Sequence, residues 1–157
     1  MASVFDVAAY ILAKRHRMTA MKLQKLVYYS LAWSLVWDEE ELFREPIEAW
    51  TYGPVCPDLY QAHKGQFIVT EIPNGDPNAL TEDQRETIDA VLDGYGKATA
   101  LRLSQLTHQE RPWKEARKGL SDEVFSTREI DLNLMTEYYS NLVSYGQKPE
   151  ESKQKPQ

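Results

Sequence analysis

The chain has 157 residues, 42% of them hydrophobic and 27% charged, which is the composition of one globular domain large enough to bury a core without metal or disulfides. Its 18 Lys and Arg against 24 Asp and Glu leave a net charge of −6, which disfavours general nucleic-acid binding and suits a basic partner. One cysteine, Cys56, excludes an internal disulfide framework and a cysteine-based zinc site, and no segment reads as a signal peptide or a membrane span, so the expected compartment is the cytoplasm.

The first helix is expected from Val4, with Ser3 as its cap and Asp6 completing a capping box; Val7, Ala8, Ile11 and Leu12 carry its apolar stripe. Thr19 caps the strongest helix, residues 20–37. There Leu23, Leu26, Val27, Leu31 and Leu35 form a stripe that Tyr28, Tyr29, Trp33 and Trp37 broaden almost all round. A helix apolar on most faces is packed on most faces, so this one is expected at the centre. Trp33 and Trp37 suit either the core or a dimer interface, and the oligomeric state stays open.

After the acidic run Asp38, Glu39, Glu40, Glu41, the alternating segment 47–52 reads as a strand that Gly53-Pro54 stops. Pro57 opens a short helix to His63, and 67–72 is a second β-prone run, expected to pair with 47–52 as a small hairpin. Thr81 with Gln84 caps a further helix, Thr99 starts one to about His108, and Pro112-Trp113 opens a short one. A last helix is expected over 127–143, burying Met135, Tyr138, Tyr139 and Leu142. Beyond Gly146 the sequence lacks apolar residues and reads as a disordered tail, 146–157. The fold expected is mainly α: a single-domain helical bundle, residues 1–145, around a central buried helix.

Chemistry is sparse. His16, His63 and His108 sit in no metal-ligand spacing, and no glycine loop is built to cradle phosphate. His108 with Glu110 superficially suggests an acid–base pair, and a helix-end histidine in a buried hydrogen bond is the favoured reading. Cys56 is read as a packing residue in preference to a nucleophile. No catalytic residue, cofactor or metal is therefore assigned, and the chain is expected to act by binding. Lys14, Arg15, Arg17, Lys22 and Lys25 cluster within twelve positions; a solvated helix junction is favoured over a phosphate-contacting patch. The aromatic load, four Trp, nine Tyr and four Phe, is more informative. Trp50, Tyr52 and Tyr60 lie near Gly and Pro, where aromatic side chains either close a core over a turn or anchor a partner.

The blocks Met21-Lys22-Leu23-Gln24-Lys25-Leu26-Val27-Tyr28-Tyr29 and Glu48-Ala49-Trp50-Thr51-Tyr52-Gly53-Pro54-Val55 resemble the Panacea domain. This is the SocA- and GepA-like antitoxin family of phages and mobile elements. The resemblance continues through Leu59-Tyr60, His63, Leu106-Thr107-His108-Gln109-Glu110 and Pro112-Trp113, covering about residues 4–118. It implies a type II antitoxin that binds a co-encoded protein toxin, in some members as an adaptor that delivers the toxin to a protease. The motif positions Lys22, Leu23, Gln24, Lys25, Leu26, Tyr28, Tyr29, Trp50, Tyr52, Gly53, Pro54, His63, His108, Glu110, Pro112 and Trp113 are expected to define mostly the fold. The toxin-facing surface is expected at Trp50, Tyr52 and Tyr60 with Asp38, Glu39, Glu40 and Glu41, where aromatic anchors adjoin negative charge. A regulator that binds nucleic acid or a protease through residues 14–25, or an enzyme using His63, His108 and Glu110, are the rival readings.

Overall fold

The computed structural model describes the backbone of residues 1–146 and the side chains of residues 1–143. The tail expected from 146 onward falls, apart from Gly146, outside the described residues. Helix α1, Val4–Arg15, starts at a Ser3–Asp6 capping box. Strand β1, Met18–Thr19, leads directly into α2, Ala20–Trp37, which Thr19 caps by accepting from the Lys22 N–H at 3.1 Å. As its all-round apolar pattern requires, α2 is buried continuously from Leu23 to Ser34.

Around α2 pack α1, α4 (Glu82–Tyr95), α5 (Ala100–Gln109) and α7 (Leu132–Gly146). The capping box of α4 joins Thr81 to Gln84, and Thr99 caps α5. Short helices α3, Pro57–His63, and α6, Arg111–Ala116, each carry proline in the first turn, where the missing N–H is not needed. A 3-10 turn, Pro77–Ala79, lies against α1. Gly75 permits that approach: a Cβ there would sit 2.1 Å from the Phe5 carbonyl oxygen.

Both β-prone segments form strands, with partners other than each other. Strand β2, Glu48–Trp50, pairs antiparallel with β3, Gly53–Val55, across the two-residue loop Thr51-Tyr52. A partner two residues away closes at less entropic cost than one beyond a helix, and Gly53, at φ +122°, supplies the backbone angle the turn needs. Ile68–Val69, β4, instead pairs with β1, where the Ala20 N–H also donates to the Phe67 carbonyl at 2.9 Å.

The last helix begins five residues later than expected. Residues 128–130 run extended beside β2: the Ala49 N–H donates to Arg128 O, and the Ile130 N–H donates to Ile47 O, at 2.8 and 2.9 Å. Asp131 then turns the chain, its carboxylate accepting from the Asn133 N–H. Met135 and Tyr139 are buried as expected, Tyr138 is half-buried, and Leu142 is exposed on the outer face of α7. Trp33 belongs to the core: it stacks on Trp37 at 4.9 Å, and its Nε1 donates to the Tyr95 hydroxyl.

Candidate partner-binding groove

The motif residues of α2 divide into two groups along its length. At the N-terminal end, Gln24 is a buried clamp. Its Oε1 accepts from the Cys56 N–H at 2.9 Å, and its Nε2 donates to the Cys56 carbonyl at 3.3 Å and meets His63 Nε2 at 2.9 Å. The His63 ring nitrogen therefore accepts, which requires the neutral imidazole, and burial lowers its pKa in the same sense. One amide thus fixes the end of β3 and the end of α3 against α2.

The second group lies deeper. Tyr29 and Tyr139 hydroxyls both donate to Glu110 Oε1, at 2.8 and 2.7 Å, while Tyr28 and Tyr139 hydroxyls meet at 3.0 Å. Tyr95 stacks on Tyr29 with ring centroids 4.1 Å apart. Burial pushes Glu110 up to about 7 despite the two phenol donors. This network ties α2 to α7 and to the α5–α6 junction, so Glu110 is a structural acceptor within the core.

The β2–β3 hairpin is held from several sides. Ser104 Oγ donates to the Tyr52 carbonyl at 2.6 Å, Trp113 Nε1 to the Trp50 carbonyl at 2.8 Å, and Arg117 Nη1 to the Ala49 carbonyl at 3.0 Å. Pro112 is buried at the start of α6, and Trp113 stacks on His108 at 4.1 Å beneath the Arg117 guanidinium. Arg117 also donates to the carbonyls of Ser121 and Val124, which brings Phe125 edge-on to Trp50 at 5.4 Å. Among the described residues His108 Nε2 is buried without a hydrogen-bond partner, and burial lowers the ring's pKa.

Between the hairpin, α3 and the start of α2 lies an open groove of about 370 Å³ with almost entirely apolar walls. Trp50, Tyr52, Tyr60, Val55, Met21 and Phe125 form its sides, and Gln24, Lys25 and His63 its floor. Tyr60 packs edge-on against both Trp50 and His63. Tyr52 is 66% exposed and Phe125 61% exposed, so the rim presents aromatic surface to solvent.

The structure therefore gathers Trp50, Tyr52 and Tyr60 into one concave surface and places the acidic run elsewhere. Asp38 caps the C-terminus of α2, whereas Met21 on the groove is near its N-terminus, roughly 25 Å away along the helical rise; Glu41 lines a separate hollow with Leu31 and Ile47. In that run, Asp38 accepts from Thr87 Oγ1, Glu39 turns the chain at φ 55°, and Ser34 Oγ donates to the Glu40 carbonyl.

Of the five cations of residues 14–25, Lys25 is buried apart from the rest. The Arg15 guanidinium, paired with Asp93 at 3.8 Å, lies beside Gly96, whose carbonyl accepts from Lys22 Nζ; Lys14 lies over the Tyr10 ring and Arg17 is exposed. Cys56 is fully buried, and burial pushes its thiol up to about 12. His63, His108 and Glu110 are each engaged in different packing, the first at the groove floor and the last in the tyrosine network. Among the described residues no group of His, Cys, Asp and Glu is arranged to hold a metal ion, and no helix is long and apolar enough to cross a membrane.

Phe125 and Lys25 are the groove residues whose place the sequence did not disclose. An isolated Val-Phe pair in the polar stretch 121–129 was the available signal for the first; nothing local marks Lys25 as buried.

The family model described as antitoxin SocA-like, Panacea domain, matches residues 23–114, a span that includes most of the groove and all of the Gln24 clamp. No curated protein and no solved structure matches the chain significantly. The chain belongs to the SocA-like Panacea-domain antitoxin family.

Proposed function

We propose that the chain neutralises a co-encoded protein toxin by binding it directly, without catalysis, and that the Trp50–Tyr52–Tyr60 groove is the contact surface. The observation that carries this reading is a concave apolar surface rimmed by exposed Tyr52 and Phe125, on a chain of an antitoxin family. Exposed aromatic side chains beside a pocket are the usual anchors of a protein interface. The net charge of −6 favours encounter with a basic toxin, and the Asp38–Glu41 run adds to that attraction at a second place, within reach of a partner that spans α2.

Co-expression with the neighbouring reading frame tests this reading. A neighbour that is toxic alone, harmless with this chain and recovered in a stable complex supports it. Rescue without a stable complex favours the adaptor mode, in which a protease removes the toxin. Trp50→Ala should weaken capture while the monomer stays folded, and charge reversal across Glu39–Glu41 should act mainly on the association rate. Undiminished binding in both variants refutes the placement.

A further inference from the structure

Apolar recognition does not need a lysine at the bottom of the groove, yet Lys25 is there. Its side chain is 1% exposed, and neither ion pair found among the described residues involves it. Burial pushes its ammonium down to about 7, and among the described residues no carboxylate acts to hold it up. Among the described residues the neighbouring polar groups have other partners: Gln24 is spent on Cys56 and His63, Glu48 accepts from Trp50 Nε1, and Glu110 accepts from Tyr29 and Tyr139. His63 and His108 are both shifted toward the neutral form by burial, and Tyr52 and Tyr60 present phenols.

The glycine that the hairpin's backbone angle requires also leaves room for this lysine. A Cβ on Gly53 would lie 2.5 Å from Lys25 Cε and 3.3 Å from its Nζ, so the glycine of the hairpin is what lets the side chain pass. A buried ammonium without an anion is destabilising, and a ligand that delivers one is bound preferentially because it removes that penalty. The groove's volume of about 370 Å³ is at the small end of ligand sites and holds one or two residues of extended peptide, not a helix. Since the protein as a whole carries −6, it does not attract anions at long range; selection falls to the single cation at the floor.

We propose that the groove receives a carboxylate carried on an apolar end or segment of the partner polypeptide, with Lys25 Nζ as its counter-ion and Trp50, Tyr52 and Phe125 holding the apolar part. This rests on the binding function proposed above and specifies the chemistry that the groove recognises.

The test uses the full chain and two probes that differ only in charge, N-acetylphenylalanine and N-acetylphenylalaninamide. Lysine side-chain carbon resonances, with Lys25 assigned through Lys25→Met, report both binding and the protonation of that amine. The acid should bind at least tenfold more tightly than the amide and raise the Lys25 midpoint by one pH unit or more; Lys25→Met should bind the two alike. Equal binding by the parent chain, or an unmoved Lys25 midpoint, overturns the proposal. With a toxin in hand, Lys25→Met should lose at least tenfold in affinity; full retention shows that the carboxylate is not the toxin's and overturns the polypeptide source. If no neighbouring product is neutralised while the acid probe still binds selectively, the antitoxin reading falls and the occupant is a small carboxylate.

Discussion

Lys25→Met should make the protein more stable, and by an amount that depends on pH. Methionine keeps the length and apolar stem of the side chain and removes the charge. In the unfolded chain the amine titrates at its ordinary value of 10.5, and burial lowers it in the native state to about 7. Between those values the unfolded chain holds a proton that the native chain has released, so native stability rises as pH increases from 7 toward 10.5. Below pH 7 the full penalty is present, about 5 kcal/mol at 1.36 kcal/mol per pH unit; at pH 9 about 2 kcal/mol remains. The advantage of Lys25→Met over the parent should therefore be about 2 kcal/mol larger at pH 7 than at pH 9. Urea unfolding of both proteins at several pH values measures this difference, in which the other titrating groups cancel. A difference that stays flat from pH 7 to pH 9 would refute the reasoning, because it would mean that Lys25 keeps its charge in water.

Glu110 shows the opposite dependence. Burial raises its pKa from 4.5 to about 7, so the native state keeps a proton that the unfolded chain gives up, and stability falls by about 3 kcal/mol as pH rises from 4.5 through 7. Glu110→Gln, which retains an oxygen for the Tyr29 and Tyr139 hydroxyls, should remove that slope in the same urea titrations. Gly53→Ala should lower stability by about 2–4 kcal/mol in thermal unfolding, since it combines a positive φ with a Cβ set against Lys25 Cε and Thr107 Oγ1. Tyr52→Ala should leave stability within about 0.5 kcal/mol, because the ring is exposed, but weaken toxin binding by about 2 kcal/mol in titration calorimetry.

The fold was legible wherever local chemistry decides it. Ser3 with Asp6, Thr19, Thr81 with Gln84, and Thr99 all cap helices as their side chains allow, and the aromatic breadth of 20–37 placed α2 at the centre. Strand pairing was not legible to the same degree. The β propensity of 67–72 says that the segment is extended and leaves its partner open; the tight Thr51-Tyr52 turn gave 47–50 a nearer one. The start of α7 is not marked by pattern: residues 127–131 hold a single apolar residue, Ile130, which is buried from an extended run beside β2 as readily as from a helical turn.

The aromatic half of the candidate site, Trp50, Tyr52 and Tyr60, could be named from residue type and the neighbouring Gly and Pro. The acidic run does not line the same groove, since chain proximity does not say which end of an 18-residue helix each segment adjoins. Lys25 was hidden for a related reason. Read along the chain it belongs with Lys14, Arg15, Arg17 and Lys22, and only the hairpin folded over α2 removes it from them.

The polar residues of the motif are buried for two different reasons, and the hydrogen bonds separate them. Gln24, Tyr29 and Glu110 have partners within the chain, Tyr139 among them, so their burial is self-sufficient and specifies how α2 meets α3, α6 and α7. Among the described residues Lys25 has no such partner, and Gly53, whose positive φ the hairpin already requires, leaves the space that its side chain fills. A fold selected for stability alone would place Met or Leu there, with about 5 kcal/mol less electrostatic penalty at neutral pH. Local inconsistencies of this kind are expected where a protein must meet something else, because the missing interaction is then supplied by the partner. A scaffold role accounts for the burial of Gln24, Tyr29 and Glu110; for Lys25 it accounts only for the space.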